Sequence, residues 1–103
     1  MGPRHVLGLA LPVYLLVYDL VEDPTPESYR RLTEELRRLG GHSPLEGTWL
    51  VNLPGPPREL RDRILPLMGR RDRLWISGVR GGDFGGTNVA AGTAEWLERN
   101  PPG

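Results

Sequence analysis

The chemistry legible in this chain begins at Asp19. Six apolar or aromatic residues, Val13-Tyr14-Leu15-Leu16-Val17-Tyr18, run together and end on that acid. A short run rich in β-branched and aromatic residues reads as a strand buried on both faces. A carboxylate at the end of such a strand sits where a sheet commonly offers its chemistry, so Asp19 is the candidate catalytic and metal-ligating residue. Glu22 and Asp23 follow in the next loop as candidate helpers. The competing reading is structural: Asp19 caps the loop or the helix that opens near Thr25.

The basic residues are the second candidate group. All thirteen are arginine, and thirteen acids balance them to a formal net charge of zero. A dedicated nucleic-acid binder is usually basic overall, so contact with RNA or DNA here requires a local patch. Arg70, Arg71 and Arg73 have only Asp72 among them and are the preferred phosphate contacts. Arg30-Arg31 and Arg37-Arg38 also recur along one helix, but Glu34 and Glu35 lie between them. The pairs Arg30 to Glu34, Arg31 to Glu35 and Glu34 to Arg38 make that face an ordinary solvated one.

Several chemistries are excluded or disfavoured. Without cysteine there is no disulfide, thiolate metal site or cysteine nucleophile, and a reducing cytoplasm is the expected setting. His5 and His42 stand at no metal-ligand spacing. The stretch Gly78 to Gly86 lacks the lysine and serine of a phosphate-binding loop and reads as a mobile connector. The apolar run ending at Tyr18 falls far short of the ~20 residues that cross a bilayer, so no membrane role is expected. Residues 1–12 read as a loose N-terminal extension rather than a signal peptide, because Pro12 and the strand follow at once without a small-residue cleavage site.

The elements that position these residues follow from pattern and punctuation. Thr25 is a good N-cap and Pro26 a good first helical residue. Tyr29, Leu32, Leu36 and Leu39 then share one helical face, ended by Gly40-Gly41. His42 to Glu46 is a weak strand, placed at an edge or bulge by Pro44. Thr48 to Leu53 is a stronger strand, with Trp49, Val51 and Leu53 on one side. Gly47 between them marks a bulge or a tight turn. A second helix starts at Pro57, buries Leu60, Ile64 and Met68, and kinks or loosens near Arg63 because of Pro66. Arg73 to Val79 is the last strand, and a short helix is expected from about Val89 to Glu98.

This order predicts one α+β domain, a ferredoxin-like split βαβ (βαββαβ) with a four-stranded antiparallel sheet. The domain spans residues 13–80, followed by a glycine-rich connector and short C-terminal helix over 81–103. Both main helices would cover one sheet face and leave the other open. An exposed apolar face usually marks association, which predicts a two-fold homodimer packed through that face or through a sheet edge. Tyr14, Leu16, Trp49 and Trp75 are the expected dimer face.

Four stretches carry a family resemblance. Tyr14-Leu15-Leu16-Val17-Tyr18-Asp19-Leu20, Glu46-Gly47-Thr48-Trp49-Leu50-Val51, Leu60-Arg61-Asp62 and Leu74-Trp75-Ile76 are similar to the SinR family. More distantly, they resemble the second CRISPR-associated protein family and the VapD-type toxins. The likeness spans roughly residues 13–80. It implies a dimer, and it implies a metal-dependent nuclease in which the acid closing the first strand lies near its symmetry mate. Asp19 matches that position. Two such carboxylates would share magnesium or manganese, which lowers the pKa of a bound water and steadies charge on a phosphodiester. The chain departs from the distant relatives at Gly47-Thr48-Trp49, where they carry a serine and an aromatic, and it shows no counterpart of their exchanged fifth strand. A non-catalytic dimeric adaptor or regulatory protein, using the same sheet surface for a partner, is the alternative.

Overall fold

The computed structural model describes residues 5–6, 9–10 and 12–103. Two short strands, β1 (His5–Val6) and β2 (Leu9–Ala10), pair with each other antiparallel. The expectation of a loose extension over residues 1–12 otherwise lies outside the described residues. The main sheet contains β3 (Val13–Asp19), β4 (His42–Leu45), β5 (Thr48–Asn52) and β6 (Arg73–Val79). Its order is β4-β5-β3-β6, with every pairing antiparallel. Between β3 and β4 comes α1 (Pro26–Arg38); between β5 and β6 comes α2 (Pro57–Ile64). Each strand–helix–strand unit is thus split by a strand of the other, and the sequence-based α+β architecture holds.

The local chemistry explains the boundaries. Thr25 Oγ1 accepts the Ser28 N–H at 3.1 Å and caps α1, with Pro26 as its first residue. Pro57 opens α2, and the helix gives way to a 3-10 turn (Leu65–Leu67) where Pro66 removes a backbone donor. Gly47 takes φ +75° in the turn joining β4 to β5, a conformation that costs other residues a clash at Cβ. The C-terminal helix α3 (Thr93–Arg99) starts later than the pattern predicts, because Gly92 at φ +90° forms its N-cap.

The closed face of the sheet carries the main core. Tyr14 and Leu16 of β3 and Trp49 and Val51 of β5 are buried against Leu32 and Leu36 of α1 and Leu60 and Ile64 of α2. On the opposite face Trp96 of α3 packs on Val13 and Leu50, and the connector after β6 lines a groove beside Val17 and Leu45. Trp96 Nε1–H donates to Gly40 O at 2.9 Å, and His42 Nε2 shares a 2.7 Å hydrogen bond with Thr93 Oγ1. Those contacts fix α3, and they place His42 as a strand residue locking a helix.

Two expectations change here. The first strand is not buried on both faces along its length, since Val17 and Asp19 are exposed. The reason is dimensional: seven helical residues reach about 10 Å, while a seven-residue strand runs about 23 Å. The expected dimer face also divides. Tyr14, Leu16 and Trp49 belong to the core of the single chain, sealed beneath α1 and α2, and only Trp75 lies on the opposite face, 67 % exposed. The described residues include no helix long and apolar enough to cross a membrane.

Candidate functional site: the bare end of the sheet

Strand register builds the site. Leu45 pairs with Thr48, Thr48 with Val17, and Val17 with Trp75, so these four form one row across all four strands. Side chains of directly paired residues stand on the same face. Leu45, Val17 and Trp75 of that row are exposed at 54, 38 and 67 %. Leu45, Thr48 and Val17 of the row themselves line an apolar groove of about 610 Å³, its walls shared with Leu15, Leu50, Phe84, Val89 and Leu97. The connector expected to be a mobile loop supplies Phe84 to that wall, and Ala90 N–H donates to Pro44 O at 2.9 Å.

On the other side of the row stands Asp19, the last residue of β3, directly across from Arg73. Both are exposed, and no ion pair joins them within 4 Å. The apolar row is therefore rimmed by one acid and one base. Asp19 is left free of ion pairs and side-chain hydrogen bonds among the described residues, so its carboxylate does not cap the loop or α1.

The candidate helpers have structural work instead. Asp23 Oδ2 accepts the Ser28 hydroxyl at 3.1 Å beside the Thr25 cap. Glu22 Oε2 accepts Arg70 N–H at 3.0 Å, and its Oε1 accepts Arg71 Nε–H at 3.4 Å. The reciprocal half of this clamp is Asp72. Its Oδ1 accepts Val21 N–H at 2.8 Å and Glu22 N–H at 2.9 Å, while its Oδ2 accepts Gly69 N–H at 2.7 Å. The N–H groups of Glu22, Gly69 and Val21 hold the Asp72 carboxyl below the usual carboxylate range. Two acids thus staple the loop after β3 to the loop before β6.

This clamp escaped sequence reasoning. Asp72 sits in a short turn after Gly69, the kind of position where aspartate bonds nearby backbone N–H groups, and that was the available signal. Its partners Val21 and Glu22 lie some fifty residues away, which no local pattern gives.

The arginines divide as well. Arg73 stands beside Asp19 at the row's rim, Arg71 is held by Glu22, and Arg70 contributes its backbone to the clamp. On α1, Arg30 pairs with Glu27 and Glu34, and Arg38 pairs with Glu35, so that face is solvated and mixed in sign. Of the expected pairs, Arg30 to Glu34 forms. Arg37 leaves this pattern and lies over the Trp49 ring, 5.7 Å from its centroid.

Magnesium is octahedral but keeps several of its waters, so one or two carboxylates are its usual protein ligands. One chain offers Asp19 alone, with an arginine opposite. Among the described residues no group of three His, Cys, Asp or Glu side chains is gathered to hold a metal. No protein-family model matches the chain, and no solved structure matches it.

Proposed function

We propose that this protein is a homodimeric, non-catalytic interaction module whose copies associate through the bare end of the sheet. The observation that carries this reading is the row Leu45–Thr48–Val17–Trp75, an apolar strip crossing the whole sheet and topped by a two-thirds exposed tryptophan. Tryptophan is the side chain most enriched at the energetic centre of interfaces. The rim suits a second copy of the same surface. In a two-fold interface Asp19 of one copy meets the other copy's surface and Arg73 does the same, so a self-complementary pairing of opposite charges is available. Sedimentation tests it directly: wild type runs as a dimer and Trp75→Ser as a monomer with its fold intact. A wild-type monomer at every concentration rejects the reading.

A second reading keeps Asp19 as a catalytic residue, favoured by its exposure, its free carboxylate and Arg73 directly opposite. It follows the resemblance to the metal-dependent nucleases, in which the Asp19 carboxylates of both copies would share the cation. Magnesium- or manganese-dependent cleavage of RNA or DNA, lost in Asp19→Asn with the dimer retained, supports it. Absence of cleavage by wild type over a broad substrate panel leaves the interaction module standing.

A further inference from the structure

The two edges of the sheet are finished differently. β4 is four residues long, contains Pro44, shifts register between His42 and Leu45, and has the Ala90 N–H bonded to Pro44 O. Proline, a bulge and a covering segment are the devices by which sheets refuse a further strand. β6 has none of them. It is seven residues long, free of proline, and in unbroken register with β3 from Arg73 to Val79. None of its residues is buried.

The ladder shows which of its backbone groups are free. Tyr18 N–H reaches Gly47 O and Leu53 N–H reaches Pro12 O, so the even-numbered residues of β3 exchange hydrogen bonds with the β5 side. Antiparallel ladders alternate, so the odd-numbered residues of β3 turn to β6, where they face Val79, Ser77, Trp75 and Arg73. Leu74, Ile76 and Gly78 therefore aim their N–H and C=O groups out of the sheet. Among the described residues these outward groups have no hydrogen-bond partner.

Beside this edge, under α2, runs a groove of about 400 Å³ with Arg58, Arg61, Leu65, Leu74 and Ile76 in its walls. Asp72 also lines it, but that carboxylate is committed to three backbone N–H groups. Arg61 touches its neighbour Asp62 at 3.2 Å, an exposed pair of little energy. Arg58 has no ion pair among the described residues. The groove is thus apolar at its floor and basic at its rim. A second copy of β6 would bring a second set of arginines to the same place, like charge against like.

We propose that the β6 edge takes an extended acidic segment of a partner protein as a fifth strand of the sheet. Main-chain pairing to Leu74, Ile76 and Gly78 supplies the affinity. Alternate acidic side chains lie along Leu74 and Ile76 and reach Arg58 and Arg61, and the intervening apolar ones pass to the Trp75 side. The two sites meet only at Trp75: the outward groups of Leu74, Ile76 and Gly78 and the arginines of α2 belong to the peptide site alone, so variants there and Trp75→Ser report on different associations.

Gly78 gives a clean test. A Cβ there meets nothing within 4 Å, and its φ lies outside the left-handed region. Gly78→Pro removes one outward N–H without deleting a side chain, and Gly78→Ala keeps that N–H. The probe is a capped peptide of about eight residues alternating glutamate and valine, with a lysine-for-glutamate counterpart as control. The expected result is saturable binding of the glutamate peptide alone, weakened about tenfold or more by Gly78→Pro and changed less than about twofold by Gly78→Ala. The double variant Arg58→Glu/Arg61→Glu, on exposed helix positions, also weakens it, which keeps the test decisive should the proline variant fold poorly. Amide exchange at Leu74, Ile76 and Gly78 slows on binding. No saturable binding by wild type, equal binding of the lysine peptide, or undiminished binding by the folded Gly78→Pro variant overturns the proposal. Dissociation of a dimer by Gly78→Pro overturns it too, because the edge would then belong to a second copy.

Discussion

Leu16 and Val17 are neighbours in β3, yet Leu16 is wholly buried and Val17 is 38 % exposed. Their side chains point to opposite faces of the sheet, and the faces are closed by different means. On Leu16's side two helices, of thirteen and eight residues, lie across the strands and shut the face. On Val17's side one seven-residue helix docks at the Val13 end and stops. The chain builds a complete core on one side and half of one on the other. Apolar residues continue into the uncovered half, where a chain that acted alone would gain nothing by placing them. The difference separates the face that folds the domain from the face on which self-association is proposed.

The largest effect is expected on the closed face. Leu16→Ala leaves a cavity among packed side chains and should cost about 2–5 kcal/mol of unfolding free energy, read by denaturant titration of a dilute sample. A loss below about 1 kcal/mol would mean that this face is not the core. On the open face the sign of the result changes place. Trp75→Ser should leave the stability of a dilute monomer within about 0.5 kcal/mol, while raising the dimer dissociation constant about thirtyfold or more. Equal damage from the two substitutions would erase the distinction between the faces.

Two smaller effects sharpen it. Thr25→Ala removes the cap of α1, the helix that helps shut the closed face, and should cost about 1 kcal/mol without altering self-association. Asp72→Asn acts through pH. Its carboxyl is held below the ordinary value in the folded chain, so its contribution to stability is present at neutral pH and is lost as pH falls from about 3.9 through the folded value. The asparagine variant should therefore show a shallower fall in melting temperature between about pH 5 and about pH 2. A wild-type acid limb unchanged by the substitution would remove the clamp from the account.

Much of this fold can be read from local signals. Thr25-Pro26, Gly47, Pro57 and Pro66 each act within a few residues of themselves, and the elements begin, turn or loosen where those residues sit. Alternation within each strand was equally plain, with Trp49 opposed to Leu50 and Trp75 to Ile76. What alternation lacks is register between strands. Trp49 stands opposite Leu16, and Trp75 opposite Val17, so two tryptophans that look alike in sequence fall on opposite faces. Grouping Tyr14, Leu16 and Trp49 with Trp75 failed for that reason. The docking of Trp96 beneath Gly40 and the Glu22–Asp72 clamp were illegible for a related one: each joins segments about fifty residues apart. Asp19 was legible as an acid ending a strand, while the bonding of Glu22 to Arg70 and Arg71 and of Asp23 to Ser28 was not.

The central claim is that the uncovered half of the sheet is shielded by another copy of the chain. Sedimentation velocity of the wild type, from about 1 to about 100 μM, tests it most directly, because self-association depends on concentration. The account predicts a species of twice the chain mass that grows with concentration and is missing in Trp75→Ser. A single species of one chain mass throughout, with Trp75 still exposed to solvent, would contradict it.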